Sequence, residues 1–326
     1  MARQGSTGKK YKTKEQKWGA MLSALVLALV LGVLMLTVPG FSDEVFEIFG
    51  IRRSEAAVAA QVDSATKVHI IDVLQGDAAL LEQNGEFALI DAGPPEGQDN
   101  LLAYLNGLGI TRLKYVILTH PHADHYGGMQ AVVENFTVEQ MILPDLSKAP
   151  TPTASTFQRL LEALANKKVK TKTAKEGDSY PLGTGSIRVL QAGLETKDNY
   201  NLLSLALLFE ADGFRFLDTG DAEKQNEQAL LQSGADLRAD VFMAGHHGSS
   251  TSNSKSFLQA VRPEVVAISL GAGNSYGHPH REAMAAFEEQ NATILRTDQN
   301  GTIVLGPGEN GGVVYAVAKQ PAGSAA

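Results

Sequence analysis

The chain has 326 residues, of which 44% are hydrophobic and 20% charged, a composition typical of folded globular proteins. It contains no cysteine, which excludes disulfides, thiolate metal ligands and a thiol nucleophile. The formal net charge is −8, and an acidic protein is a poor general binder of polyanions.

The first element along the chain is an apolar segment at residues 19–38, long enough to cross a bilayer as a helix. Trp18 and Phe41 flank it, where interfacial aromatic residues are expected. The first 41 residues hold six of the 28 basic side chains and one of the 36 acidic ones, which leaves 22 basic and 35 acidic, or −13, in the rest. The positive-inside rule then predicts a cytoplasmic basic N-terminus at 1–17, a single-pass transmembrane anchor at 18–41 and an extracytoplasmic domain.

A cleaved signal peptide and a buried core helix are the alternatives to a retained membrane anchor. A cleaved signal peptide usually has a shorter apolar core and a small-residue cleavage site directly after it. No good site follows here, although "AAVAA" at 56–60 leaves late processing open. A buried core helix is disfavoured because no polar face recurs at helical spacing. We expect a linker at 42–66.

Beyond the linker, short β-rich runs are interleaved with helix-like segments, which predicts an α/β domain with a mixed sheet. Strands are expected at "VHIIDVL", "AALLE", "FALIDAG", "KYVILT", "QMILP", "SIRVLQ", "LSLALLFE", "FRFLD", "DVFMAG", "EVVAISL", "ATILRT" and "TIVLG". Helices are expected near 98–107, 128–135, 155–166, 222–232, 254–261 and 280–290. The domain is expected to cover residues 67–318, and 319–326 to form a flexible polar tail.

The stretch "VILTHPHADHYGG" places three histidines and an aspartate within six positions, directly after an apolar run. His120 and His122 are two residues apart, which points both imidazoles the same way in extended backbone. Asp124 and His125 lie where the next turn folds back toward the same point. Four potential ligands are crowded for one ion, so the stretch predicts two divalent ions that share the loop.

Later candidates lie at the end of an apolar strand or just before a helix: Asp221, His246, His247 and His278. Asp221 is placed to bridge two ions, with an N-cap of the following helix as the alternative role. We expect His69 to be an ordinary strand residue and His280 to have a capping or surface role.

These motifs resemble those of the metallo-β-lactamase-fold hydrolases, whose HxHxDH signature is matched in full at residues 120–125. Over roughly residues 67–306 the resemblance is more specific. "DVLQGDAALLE", "LIDAG", "LTHPHADHYGG", "LDTGDAE", "AGHHGSS" and "YGHPH" follow, in order, the landmarks of the extracytoplasmic hydrolase domain of ComEC/Rec2-type competence proteins. The resemblance implies an αββα metallo-β-lactamase sandwich, preceded here by one transmembrane helix, with a dinuclear metal site at one edge of its two sheets.

By this resemblance, one ion would be held by His120 and His122. The second ion would be held by Asp124, His125 and His247, with Asp221 bridging the two. Asp124, His246 and His278 are the expected catalytic residues, and either histidine would contact the substrate or protonate a leaving group. Which of His246 and His247 binds metal is left open. Ligation by N and O atoms alone suits two divalent ions, Zn²⁺, Mn²⁺ or Fe²⁺, and the carboxylates favour Mn²⁺ somewhat.

The sequence departs from the family pattern at three points. ComEC-type proteins carry a multi-helix DNA channel, whereas this chain has one candidate membrane segment. Leu74 stands where the family usually has glycine. No histidine occurs from 126 to 245, although the superfamily often supplies one there. Asn201 is a candidate substitute, and one ion would then have fewer strong ligands.

The expected function is metal-assisted hydrolysis of a phosphodiester outside the membrane, with DNA or an oligonucleotide as the leading substrate by resemblance. Ser249 and Ser250 are candidate contacts of the phosphate oxygens, and Asn201 is a third candidate substrate contact. A phosphodiesterase acting on cell-wall or lipid-linked substrates of the teichoic-acid type is the alternative, since an acidic domain suits a small or zwitterionic substrate. An ester, thioester or β-lactam hydrolase and a non-catalytic metal-binding accessory module are further alternatives. The sequence does not indicate the oligomeric state.

Overall fold

The structure, a computed structural model, describes residues 55–309 and 311–319. In this part of the chain two β-sheets pack face to face and helices cover their outer faces, so the α/β sandwich expected from the sequence is the fold observed. The predicted membrane anchor at 18–41 and the cytoplasmic stretch before it lie outside the described residues. Within the described ranges, no helix has the length and apolar character needed to cross a membrane.

The first sheet has eight strands: β1 (Thr66–Ile70), β2 (Ala79–Gln83), β3 (Glu86–Ile90), β4 (Arg112–Ile117), β5 (Thr137–Leu143), β6 (Lys170–Thr173), β14 (Ile303–Pro307) and β15 (Val313–Val317). Their spatial order is β15-β14-β1-β2-β3-β4-β5-β6. The strands from β3 to β6 pair in parallel, and the others pair antiparallel.

The second sheet has seven strands: β7 (Ser179–Leu182), β8 (Gly185–Ala192), β9 (Leu205–Ala211), β10 (Phe214–Asp218), β11 (Val241–Met243), β12 (Val265–Ile268) and β13 (Thr293–Arg296). Their spatial order is β13-β12-β11-β10-β9-β8-β7. The strands from β10 to β13 pair in parallel. Both sheets are therefore mixed, as predicted.

The described α-helices are α1 (Gln98–Gly107), α2 (Ala123–Tyr126), α3 (Met129–Asn135), α4 (Ser155–Lys167), α5 (Lys224–Ser233), α6 (Lys255–Val261), α7 (Arg281–Glu288) and α8 (Thr297–Asn300). Short 3₁₀ helices lie at Glu55–Gln61, Pro95–Gly97, Leu146–Lys148, Tyr200–Leu203 and Gly245–Gly248. The predicted helices agree with this set within a few residues. The helix expected from Ala222 begins at Lys224, after a capping box formed by Glu223 and Asn226.

The hydrophobic core has three layers, and strand alternation assigns side chains to them. In β10, Phe214 and Phe216 point into the layer between the two sheets, whereas Leu217 points into the layer beneath α5 and α6. The third layer lies between the first sheet and α1, α3 and α4. Burial on both faces explains why central strands such as β9 read as continuous apolar runs.

Three strands had no prediction, and each lies at the edge of a sheet: β6, β7 and β15. Edge strands bury little side chain, so the apolar signal is weak; the exposed "KTKT" of β6 shows the charged pattern common at sheet edges. The expected linker also needs correction at its end. Glu55–Gln61 forms a 3₁₀ helix whose Val58 and Ala59 are buried in the core, so the compact unit begins before residue 66.

Candidate active site

The candidate site lies at one edge of the sandwich, where strands of both sheets end. β3 and β4 are parallel in the first sheet, and β10, β11 and β12 are parallel in the second. The loops after these five strands supply Asp91, His120, Asp221, His247 and Ser269, in that order. Residues that are distant in sequence therefore meet because parallel strands end at the same edge.

His120, His125 and Asp221 form the floor of the site. Oδ2 of Asp221 lies 3.5 Å from Nε2 of His120, and Oδ1 lies 3.3 Å from Nε2 of His125. All three side chains are buried, and one ligand atom of each lies within 4.8 Å of the others. Nδ1 of His122 lies 3.0 Å from Nε2 of His120. His120 is thus adjacent to the predicted bridging carboxylate, whereas His122 contacts His120 and belongs to none of the ligand groups among the described residues.

A second ligand group consists of Asp124, His125 and His247, the set predicted for the second ion. Nε2 of His247 lies 3.3 Å from Oδ2 of Asp124 and 3.8 Å from Oδ1 of Asp221. A third, wholly buried group adds Asp77, from the loop between β1 and β2, to Asp221 and His247. The two oxygens of Asp221 therefore face different histidines, Oδ2 toward His120 and Oδ1 toward His125 and His247, as a bridging carboxylate would.

Buried carboxylates fix the outer nitrogens of two of these histidines. Nδ1 of His125 donates to Oδ2 of Asp91 over 2.7 Å. Nδ1 of His247 donates to the carbonyl oxygen of Ser269 over 3.0 Å and lies equally close to Oδ1 of Asp77. Because Nδ1 is the donor in both rings, Nε2 is the nitrogen that faces Asp221 and would bind a metal once it has released its proton.

His120 is oriented by the same carboxylate through Thr119. Oδ1 of Asp91 accepts from the backbone N–H of Thr119 over 2.9 Å, and Oδ2 accepts from its hydroxyl over 2.6 Å. The hydroxyl oxygen lies 3.2 Å from Nδ1 of His120 and, since its own hydrogen is donated to Asp91, is the acceptor of this hydrogen bond. Asp91 therefore orients the ligand nitrogens of His120 and His125 together.

Three buried polar atoms at the centre of the site have no hydrogen-bond partner among the described residues: Nε2 of His125, Nε2 of His247 and Oδ1 of Asp221. Buried polar atoms are normally satisfied, and each unsatisfied one is costly. Imidazole nitrogens and carboxylate oxygens are ligands of Zn²⁺ and Mn²⁺. The residues present therefore fit a divalent metal centre.

The electrostatics of the site also indicate a need for positive charge. Burial lowers the pKa of His125, but the carboxylates of Asp221 and Asp91 outweigh it and raise that pKa well above its usual range. Burial likewise lowers the pKa of His247, and Asp77 and Asp221 reverse this effect. The buried carboxylates thus draw protons onto the imidazoles. A divalent ion would supply the same charge, and its binding would release these protons.

A cleft of about 260 Å³ opens onto the ligand groups. Its walls are formed by Gln75, His122, Ala123, Asp124, Asp221, His246, His247, Tyr276 and His278. Burial, followed by the charges of His247 and His246, lowers the pKa of His278 to about 4, so His278 is a neutral imidazole at neutral pH. All three predicted catalytic residues line the cleft.

His246 and His247 are adjacent in sequence but occupy different positions in the site. Both have left-handed backbone, with φ of 53° and 54°, which is uncommon outside glycine and concentrates at functional sites. Nε2 of His246 lies 3.5 Å from Oδ2 of Asp221, and its side chain is 22% exposed in the cleft. His247 is buried within the ligand groups. The placement favours His247 as the metal ligand of the two.

The predicted substrate contacts have other partners. Ser249 is buried, and its hydroxyl lies 3.0 Å from that of Thr251. The backbone N–H of Ser250 donates to Nδ1 of His280 over 2.9 Å. Nδ2 of Asn201 donates to Glu223 over 3.2 Å and lies 3.5 Å from Nδ1 of His246. Oδ1 of Asn201 is buried without a hydrogen-bond partner among the described residues, and the substrate contacts of the three residues stay predictions.

Two further expectations can be compared with the structure. His69 is fully buried in β1, where its ring nitrogens pair with the hydroxyl of Tyr104 and the carboxylate of Glu82, which confirms a structural strand residue. The N-cap of α5 is Glu223, so the alternative role of Asp221 as a helix cap is not observed.

Three residues at the site were not predicted individually: Asp77, Asp91 and Tyr276. The only sequence signal for the two aspartates was an acidic residue within an otherwise apolar context, in "GDAALL" and "LIDAG". Such an acid is buried only with a partner, and the partner is not adjacent in sequence.

Comparison with known proteins agrees with the fold and the ligand set. Residues 71–272 match the family described as the Metallo-beta-lactamase superfamily. The chain belongs to this superfamily. By family it is therefore a metal-dependent hydrolase. Proteins with this fold bind divalent metal ions, often two, and the His and Asp groups described above suit such ions.

The predicted resemblance to ComEC/Rec2-type competence proteins is confirmed. ComE operon protein 3 of Bacillus subtilis is 30% identical over 262 residues, which cover 74% of this chain and 33% of that protein. Competence protein ComA of Neisseria gonorrhoeae is 28% identical over 299 residues, which cover 90% of this chain and 40% of that protein. The chain thus spans less than half the length of these two relatives.

Among solved structures, a mutant of the CmlA beta-hydroxylase has the same fold. Its TM-score is 0.51 at 13% identity, over 84% of this chain and 61% of that chain. At this identity the likeness concerns the fold alone.

Proposed function

We propose that this protein is a membrane-anchored, extracytoplasmic phosphodiesterase that uses two divalent ions, Zn²⁺ or Mn²⁺, to cleave DNA or oligonucleotides. The observation that carries the proposal is the buried carboxylate of Asp221, whose Oδ2 faces His120 and whose Oδ1 faces His125 and His247, at the base of an open cleft. The relatives named as competence proteins support a nucleic-acid substrate.

Residues at the floor of the cleft would hold the ions, and residues on its walls would act on the substrate. His120, His122 and Asp221 would hold one ion, and Asp124, His125 and His247 the other. When bound, such a pair of ions activates water and neutralises charge that grows on the phosphoryl oxygens. Asp91 would keep His125, and the carbonyl oxygen of Ser269 would keep His247, in the tautomer that binds a metal.

His246 is placed to donate a proton to the departing alkoxide. It is partly exposed in the cleft, and Oδ2 of Asp221 lies 3.5 Å from its Nε2. On the opposite side of its ring, Nδ1 lies 3.1 Å from the hydroxyl of Thr251. His278, whose ring centroid lies 5.5 Å from that of His246, is neutral at neutral pH and would contact the substrate rather than donate this proton.

The test is hydrolysis by the purified full chain, stripped of metal and reloaded with Mn²⁺ or Zn²⁺ alone. We would follow cleavage of bis(p-nitrophenyl) phosphate beside that of labelled single-stranded DNA. Asp221→Ala should lower both activities roughly 100-fold or more, whereas Asp63→Asn, at an exposed position, should leave them unchanged.

The outcomes separate the alternatives. Cleavage of both substrates, lost in Asp221→Ala, supports the nucleic-acid proposal. Cleavage of the small diester alone redirects the substrate to cell-wall or lipid-linked phosphodiesters. No cleavage by protein with two ions bound overturns the phosphodiesterase proposal.

A further inference from the structure

Tyr276 combines exposure with proximity to the ligand groups. It is 64% exposed, more than any other large hydrophobic side chain in the described ranges, yet it lines the same cleft as Asp124 and Asp221. Its ring stacks on His278, with centroids 5.7 Å apart and planes inclined by 23°. The ring of His278 lies 6.1 Å from that of His247. A continuous aromatic surface thus leads from the metal ligands to solvent.

The loop that carries Tyr276 is held in place on both sides of the ring. Asn274 accepts from the backbone N–H of His278 over 3.0 Å and donates to its carbonyl oxygen over 2.8 Å. The backbone N–H of His280 donates to the carbonyl oxygen of Gly248 over 2.9 Å. An exposed aromatic ring on a pinned loop loses little conformational freedom when it binds a ligand.

We propose that the ring of Tyr276 is a stacking platform for a nucleobase next to the scissile phosphate. This inference rests on the proposed function and specifies how the same site recognises its substrate. The residues after the first 41 carry a net charge of −13, so the chain offers little general electrostatic attraction for a phosphate backbone. Stacking does not depend on net charge, and together with backbone electrostatics it is how proteins bind single strands without sequence preference.

The platform would also separate substrate classes. Every nucleobase presents a planar face to an aromatic ring, whereas the polyol of a teichoic-acid-type phosphodiester presents none. We therefore expect nucleic acid to be bound through one base with little sequence preference, and base-free phosphodiesters to gain nothing from Tyr276.

The experiment compares fluorescently labelled oligo-dT with an abasic oligonucleotide of the same length. Binding is measured by anisotropy with the Mn²⁺-loaded full chain and phosphorothioate-linked oligonucleotides, which resist hydrolysis, and cleavage of the phosphate-linked forms is measured separately in Mn²⁺. Tyr276→Ala should weaken binding of oligo-dT roughly 5- to 150-fold and raise KM more than it lowers kcat. Binding of the abasic oligonucleotide should not change.

Two variants serve as controls. Tyr276→Phe keeps the ring and should behave as the wild type does. Tyr315→Ala removes another exposed tyrosine, 47% exposed on β15, and should have no effect. The platform would be overturned if Tyr276→Ala weakened the binding of both oligonucleotides equally, or of neither. It would also be overturned if the wild type did not bind oligo-dT. Absence of cleavage would overturn the proposed function alone, because the binding comparison stands without it.

Discussion

The carboxylate of Asp91 accepts a hydrogen bond of 2.7 Å from Nδ1 of His125, and both side chains are fully enclosed. Through Thr119 the same carboxylate also reaches His120. One buried acid thereby fixes two imidazoles whose Nε2 atoms face Asp221. The candidate site thus includes residues that would not touch a metal themselves but orient the side chains that would.

The first prediction concerns this outer layer. In Asp91→Asn, one of the two carboxylate oxygens becomes an NH₂ group, which accepts no hydrogen bond, so the three bonds from Thr119 and His125 cannot all be kept. The tautomer of His125 is then no longer fixed, and we expect metal affinity to fall roughly 10- to 100-fold. Calorimetric titration of metal-free protein with Mn²⁺ or Zn²⁺ measures the change.

Asp63→Asn is the matched control, because it makes the same substitution at an exposed position. Circular dichroism establishes that Asp91→Asn is folded before titration. Unchanged metal affinity in a folded Asp91→Asn protein would contradict the orienting role of Asp91.

The contrast between Asp124 and Asp91 shows which parts of the site a sequence can reveal. Asp124 lies among three histidines in one short motif, so chemistry and spacing appear together. Asp91 lies 34 residues from its partner His125, and only the parallel pairing of β3 with β4 brings them together. Tyr276 likewise could not be singled out from the sequence, because its exposure beside the cleft is seen only in the structure.

The strands also differ in how well the sequence predicts them. Central strands such as β10 are buried on both faces and were predicted at their observed bounds, because burial requires apolar side chains. The edge strands β6, β7 and β15 are held mainly by backbone hydrogen bonds to one neighbour, which any sequence can form.

The second prediction concerns Gly220, which lies between β10 and Asp221. Its φ is +50°, and a Cβ there would lie 2.8 Å from Oγ1 and 2.9 Å from Cβ of Thr119. Gly220→Ala should therefore displace Thr119, which carries the link from Asp91 to His120. We expect lower thermal stability and a loss of metal affinity of roughly 10-fold or more.

Gly234→Ala separates this contact from backbone strain. Gly234 has a φ of +74°, and the Cβ of an alanine there would have no neighbouring atom within 4 Å. Its substitution should therefore cost only about 1–2 kcal/mol of conformational strain. Metal affinity should stay at the wild-type value. Equal metal binding by the two alanine variants would contradict the proposed contact with Thr119.

The third prediction concerns the pH dependence of stability and Asp218, the last residue of β10. Burial, with the negative charges of Asp77 and Asp91, raises the pKa of this carboxyl to about 8. In the unfolded chain its pKa is about 4. Between these values the native state holds a proton that the unfolded state has released. The stability that Asp218 contributes is therefore complete below pH ~4, declines as pH rises, and is lost near pH 8.

Asp218→Asn should remove this decline. The amide is neutral at every pH, and its oxygen can still accept from the backbone N–H of Gly220, a bond of 2.8 Å in the wild type. Urea unfolding of metal-free protein at pH 5, 6.5 and 8 should show the wild type losing on the order of a few kcal/mol more than the variant. Asp63→Asn, at an exposed position, should follow the wild type. Parallel stability profiles for the wild type and Asp218→Asn would mean that Asp218 is already ionised in the folded protein at neutral pH.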